Sequence, residues 1–440
     1  MSYLALYYNR LSNSDLVKRT LSGSFWSLLG AGVSRISNLA SMTIIARLLN
    51  EQGFGLVSIV IQTMGVLGVF AGAGMGATLT RFVAQHRDSD PQRAGRIVSL
   101  LVIVSAAAFL FAASGLSIFA DQIAIRVFQE DSLSFLLQVG ILVMLTSIVR
   151  TLLDGILAGL ENFKAISISS MAHGVSTLVA CAALTFYAGE AGALMGIAIG
   201  YLISSIVAYC FLIEPLRRFR VVSGVHSAFS EFKVLGSFAG PSILTGVVYA
   251  PFAWLALALL ARVDNGVAEA GGYQAAYIWH GPIMFFPMTI ASVSIPTLTR
   301  AWENHEISKF GKIILFNIGI MLFISITLSA LVIMFSERLI GLSGQEFVRF
   351  VGALVVLAIA APVHGAARVL TSAMYAMGNA WGVFFINVGA GLALTISAIF
   401  LVDAEGARGL AKSLLASQLF LALFFTIFVA MRYTRANARS

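Results

Sequence analysis

The sequence predicts an all-α integral membrane protein. Twelve transmembrane helices are expected, as two six-helix bundles in parallel pseudo-repeat around a central cavity. Three observations predict this. Hydrophobic residues make up 59% of the 440 and charged residues only 11%, less than half the roughly 25% of a soluble domain. Apolar runs of about 20 residues, enough to cross a bilayer, follow one another from Leu21 onward. Short motifs also recur in the same order in the two halves. The composition alone excludes a soluble enzyme, a nucleic-acid binder and a disordered regulator. The net charge of +8 first reports topology in such a chain, so no nucleic-acid partner is expected.

Residues 1–20 carry Arg10, Asp15, Lys18 and Arg19 and no apolar core. They read as an amphipathic lead-in on the cytoplasmic surface rather than a cleaved leader. Spans are expected at 21–46, 55–80, 97–119, 134–158, 165–187 and 193–214, which places the N-terminal bundle in 21–220. Six more at 233–261, 271–297, 312–335, 348–376, 380–401 and 409–431 place the C-terminal bundle in 221–440. The 40 glycines suit close helix packing in lipid. Alternating ten-residue strands of a β-barrel are missing from the pattern. Cys181 and Cys210 both lie in apolar runs, so no disulfide framework is implied.

With the N-terminus in the cytoplasm, 18 of the 28 Lys and Arg fall on the cytoplasmic side and seven on the other. That bias predicts a multi-pass protein with both termini cytoplasmic. No connection exceeds about 20 residues, which leaves no room for a soluble domain. Residues 77–81 read ATLTR and residues 296–300 read PTLTR, each closing a span before a basic loop. Gly53-Phe54 pairs with Gly272-Tyr273, and Leu153–Asn162 pairs with Leu370–Asn379. An even number of spans per half gives a parallel repeat, with the transport path between the halves.

Arg35, Arg150 and Arg368 fall inside spans. An ionised side chain at mid-membrane costs about 2.5–3.5 kcal/mol, so each should face a wet cavity or a partner. Arg35 and Asn38 share a face with Ser24 and Ser27 and suggest a cationic stripe on the cavity. His364, Arg368, Thr371 and Tyr375 form a second stripe behind Pro362, a position that kinks a helix. Arg150 and Asp154 are four apart: they either neutralise each other or leave Asp154 as a protonation site for ion coupling. Tyr249 and His280, deeper in their spans, read equally as belt residues or as sugar contacts, and join Arg35, Asn38, Arg150, His364 and Arg368 as candidate substrate contacts. His173, with Ser169 and Ser176 on one side of its span, reads as a packing residue. No phosphate-binding loop, metal-ligand spacing or catalytic triad stands on an accessible loop, so neither cofactor nor metal nor enzymatic activity is expected. Gly72, Gly74 and Ala77 match a dinucleotide fingerprint only formally, because they follow no strand.

The run from Ser24 through Ala46-Arg47-Leu48-Leu49 to Gly53-Phe54-Gly55-Leu56 resembles the opening of polysaccharide-export flippases. The turn Gly159-Leu160-Glu161-Asn162-Phe163 and its partner Ala376-Met377-Gly378-Asn379 resemble the family's hinge. The family is the Wzx-type O-antigen flippase group of the multidrug/oligosaccharidyl-lipid/polysaccharide exporter superfamily. The resemblance implies two six-helix bundles in a V that alternate between inward-open and outward-open. It implies an undecaprenyl-pyrophosphate-linked oligosaccharide moved from the cytoplasmic to the periplasmic leaflet of the bacterial inner membrane. Coupling to a proton or sodium gradient is implied too, and other polysaccharide-assembly membrane proteins are admitted as partners beside membrane lipids. The pyrophosphate is anionic, and guanidinium groups hold phosphate oxygens bidentately. Two rivals remain from the sequence, beside a gated channel or passive scaffold. A drug exporter of the same superfamily would favour a carboxylate-lined cavity for cations, and a membrane glycosyltransferase or glycan polymerase would need a larger external loop.

Overall fold

The computed structural model describes residues 15–219, 227–231 and 248–437. Among them every regular element is helical. A helix satisfies its backbone N–H and C=O groups within its own segment, which hydrocarbon demands. Eight helices of the described residues are long and apolar enough to cross a membrane. Helix α1, Asp15–Gly68, continues through a π-helical stretch, Val69–Ala73, into α2, Gly74–His86. Next come α3, Pro91–Gln122, α4, Leu133–Gly159, and α5, Phe163–Arg218. The second half holds α6, Ala250–Leu260, α7, Gly266–Tyr277, α8, His280–Glu303, and α9, Ile307–Met334. It ends with the short α10, Ser336–Gly341, then α11, Val351–Ala376, and α12, Ala380–Asn437.

Three helices are too long for one crossing. At 54, 56 and 58 residues, α1, α5 and α12 would each measure about 80–90 Å if straight, against a hydrocarbon core of about 30 Å. Each is broken once by a positive φ, which a right-handed helix excludes. The breaks are Asn50 (φ 58°) in α1, Gly189 (φ 54°) in α5 and Gly406 (φ 55°) in α12. At Gly189 the chain reverses, since Thr177 packs on Gly200 so closely that a Cβ there would overlap its hydroxyl. At Gly406 it reverses again, and Ser417 donates to the Ala390 carbonyl at 2.8 Å across the two arms. All three breaks fall between spans that the hydropathy separates.

Elsewhere the structure departs from the expected spans. The one expected at 271–297 is two helices, parted at Ile278 and Trp279. Pro282 fits the first turn of α8, where its missing N–H is no loss, but it would break a continuous helix. Residues 15–20, expected in a separate lead-in, are the first turns of α1. Residues 1–14 and most of the seventh expected span lie outside the described residues.

The repeat is visible in the backbone. Asn162 N–H bonds the Leu157 carbonyl and Asn379 N–H the Met374 carbonyl, each at 3.0 Å. Each follows a left-handed residue, Glu161 (φ 57°) or Gly378 (φ 72°). Each Asn side chain then caps the next helix, from Ala165 N–H at 3.1 Å and from Gly382 N–H at 2.9 Å. The two turns are 217 positions apart, and so are the reversals at Gly189 and Gly406.

The halves meet at one end of the molecule. A Cβ on Gly55 would overlap the Val267 carbonyl, and a Cβ on Gly271 would overlap the Glu51 carbonyl. Both residue pairs, 55/271 and 51/267, are offset by 216, so the contact is reciprocal, as a pseudo-two-fold requires. Around it Arg349 grips Glu51 with two nitrogens at 2.7 and 3.0 Å. Arg262 donates to the Arg126 and Val127 carbonyls, and Trp254 Nε1 donates to Thr63 at 2.9 Å. At the opposite end Glu231 is held by Arg93 and Arg96 at 3.2 and 3.3 Å. Overpacking a close backbone contact costs about 1–3 kcal/mol, so Gly271→Val should open the Glu51 end. A disulfide between Glu51→Cys and Arg349→Cys, in a background without Cys181 and Cys210, should then form at least about fivefold less. Gly115→Val, where a Cβ meets nothing within 4 Å, should leave the yield unchanged.

Candidate functional site

Between the halves lies a cavity of about 1180 Å³. From the first half, Arg35 and Asn38 line it on the first arm of α1, with Ser58 and Gln62 on the second. Ser147 and Thr151 on α4 and His173 and Tyr201 on α5 continue that wall. The facing wall is Gln274 and Tyr277 on α7, His280 and Phe285 on α8, and His364 on α11. None of the lining residues is acidic. The wall is polar through hydroxyl, amide and imidazole groups, and its net charge comes from Arg35.

Arg35 projects into the cavity and lies over the Phe285 ring, 4.6 Å from its centroid. A ring face attracts a cation without using its N–H donors. Among the described residues no carboxylate pairs with it, so those donors point at the cavity. Asn38 follows one turn along on the same exposed face. His173 stacks on Tyr201 at 4.4 Å.

The opposite wall carries a column of rings. Tyr273 stacks on Tyr277, Tyr277 on His280 at 5.2 Å, and His280 on His364 at 5.5 Å. Arg368 extends it by donating from Nε to His364 Nε2 at 3.3 Å. The α11 stripe read from the sequence therefore points one way, although Arg368 itself stands one turn beyond the cavity lining.

Besides Arg368, three candidates are not brought to the cavity: Arg150, Asp154 and Tyr249. Arg150 is only 6% exposed. Its Nε meets Asp154 at 2.7 Å, one terminal nitrogen reaches the Ser204 carbonyl at 3.3 Å and the other reaches Ser170 at 3.2 Å. Ser170 and Ser204 belong to the two arms of α5, so Arg150 bolts α4 to both. Asp154 keeps one oxygen, Oδ1, buried without a hydrogen-bond partner among the described residues. Tyr249, at the start of α6, is 3.2 Å from Ser417 on α12, inside the second half.

Gln62, Tyr201 and Phe285 line the cavity without having been singled out from the sequence. Ser58, Gln62 and Gly65 repeat at i, i+4, i+7, a faint polar face that could have found the first. Nothing marks Phe285 or Tyr201, since aromatic residues abound in apolar helices.

Comparisons with known proteins meet this geometry. The polysaccharide biosynthesis protein family matches residues 20–302. The chain belongs to that family. An inner membrane protein for EPS I polysaccharide export in Ralstonia solanacearum, EpsE, is 23% identical over 375 residues, 82% of each chain. The lipid III flippase of Escherichia coli K12 is 24% identical over 300 residues, 65% of this chain and 68% of its own. Among solved structures, a multidrug resistance MATE transporter of the MOP superfamily in its inward-facing conformation superposes with a TM-score of 0.77. It is 15% identical and covers 94% of this chain and 99% of its own. The family match, which spans Gly53-Phe54-Gly55 and the Asn162 turn, bears out the flippase resemblance. The fold is that of an all-α membrane transporter.

Removing one partner of a buried ion pair strands the other charge, at about 3–5 kcal/mol when both are buried. Asp154 is partly exposed, so Asp154→Ala should cost less, about 1–3 kcal/mol. The double variant Arg150→Met/Asp154→Leu should regain most of it, read as the melting temperature of the detergent-solubilised protein.

Proposed function

We propose that this family member flips an undecaprenyl-pyrophosphate-linked oligosaccharide from the cytoplasmic to the periplasmic leaflet of the inner membrane. The observation that carries the reading is a cavity with an unpaired Arg35, three histidines and no carboxylate in its lining. Such a lining attracts a pyrophosphate and disfavours the cations that a drug exporter moves. The aromatic and amide groups around it suit a glycan. Neither wall presents an acid–base pair of the kind a glycosyltransferase uses.

Alternating access is the mechanism proposed, between two six-helix bundles of twelve spans in all. The reversals at Gly189 and Gly406 and the break at Asn50, each between two crossings, support that count. With both termini cytoplasmic, the closed Glu51 end is the periplasmic one and the cavity opens inward, ready to load. Arg35, Asn38, His280 and His364 contact the substrate, Arg368 waits at the entrance, and an ion gradient drives the cycle with Asp154 a candidate site. Arg150 and Tyr249 support the walls.

A hydrogen bond to a charged group contributes about 1.5–3 kcal/mol, roughly ten- to hundredfold in binding. Arg35→Ala/Arg368→Ala should therefore abolish glycan export in a deletion strain while the protein stays at wild-type level in the membrane. Lipid-linked glycan should build up on the cytoplasmic side, measured by extraction and mass spectrometry. Full export by the double variant would overturn the assignment.

A further inference from the structure

The ring column ends in two imidazoles with open nitrogens. His280 is 4% exposed, and its Nε2 has no hydrogen-bond partner among the described residues. His364 Nδ1 is buried without one too. Nε2 of His364 is the nitrogen that accepts from Arg368. A neutral imidazole has one N–H and one lone pair. The Arg368 bond therefore occupies the lone pair on which a proton would add and leaves the ring hydrogen on Nδ1.

Resting on the proposed anionic substrate, we infer that His364, with His280 stacked on it, is a proton-binding site that fills when an anion draws Arg368 away. Arg368 is exposed, one turn from His364 on α11, so its fork can turn onto phosphate oxygens. The hydrogen bond to Nε2 breaks and N–H···O bonds to phosphate form. A proton from bulk water then adds to Nε2, and the ring becomes an imidazolium beside the bound anion. Only an N–H bond is made, and the new positive charge is offset by the phosphate. The pair takes one proton, because two cationic rings 5.5 Å apart repel each other.

The other groups around the pair leave it this role. Tyr273 and Tyr277 on α7 continue the stack, and Tyr249 on α6 is engaged with Ser417. Helix α9 faces α11 through Met321 and Ser329. Helix α12 faces it through Val383, Ala390 and Leu421. Arg35 and His173 stand in the cavity lining. Proton and lipid are thus co-ligands, each raising the affinity for the other by the same factor. One proton bound beside a doubly charged pyrophosphate halves the net charge the site has to hold.

The test uses the full protein in detergent and a polyprenyl-pyrophosphoryl monosaccharide, whose phosphates are both diesters and hold a fixed charge. At about pH 6.5, where imidazole titrates, wild type should take up about one proton per bound lipid, and its affinity should rise at least about fivefold from pH 7.5 to 5.5. Histidine ¹⁵N spectra should show a second N–H on one ring when lipid is added. Uptake normalised to bound lipid should fall at least about fivefold in His364→Gln, and should persist in His86→Gln, whose ring lies outside the cavity. Lipid binding with no ring protonated, affinity that falls at low pH, or uptake lost in Asp154→Asn but kept in His364→Gln would each overturn the proton site while leaving the flippase reading intact. No lipid binding by wild type at any of these pH values would sink that reading itself, and the proton site with it.

Discussion

Two backbones touch where no side chain fits. Gly55 rests on the Val267 carbonyl and Gly271 on the Glu51 carbonyl, in a reciprocal contact between the halves. Lipid gives helices no hydrophobic reason to associate, so contact has to come from close packing and polar bonds. The glycines bring the backbones near enough for Arg349 to reach Glu51 and for Trp254 to reach Thr63. The cavity lies between the same two halves, lined from both. The position of Arg35 opposite Phe285, one half facing the other, follows from that geometry.

Charge is distributed by the same logic. The arginine that is deepest in protein, Arg150, is neutralised by Asp154 and by two arms of α5, and it braces the first half. Among the described residues Arg35 meets the Phe285 ring face and no carboxylate. Arg368 sits between these cases, lightly held by an imidazole. The three arginines, alike in the sequence, therefore differ in what each neighbour provides: a carboxylate for Arg150, a ring face for Arg35 and an imidazole for Arg368.

Much of this was legible in the sequence. The breaks in α5 and α12 fall where apolar runs pause, and the turn motif at Asn162 and Asn379 recurs with the same hydrogen bonds. His364 and Arg368 stand one turn apart on α11 and touch, which helical periodicity alone dictates. What could not be read depends on contacts between distant segments. Ser170 and Ser204 complete the Arg150 site from another helix. The stack of Tyr277, His280 and His364 spans three helices, and no single periodicity encodes it. The division of the eighth span at Ile278 was hinted at by Pro282 but not placed, since proline says that a helix is interrupted and leaves the residue open.

The docking of Glu231 on Arg93 and Arg96 makes the joint between the halves lopsided. Its carboxylate comes from the stretch that links them, yet both arginines belong to the first half. Phe219 is fastened to that half as well, against Gly95. The connecting stretch is thus tied to the first half at two described points, Phe219 and Glu231. In the alternating access proposed above, Phe219 and Glu231 stay with the first half, which makes that half the frame and the second the door.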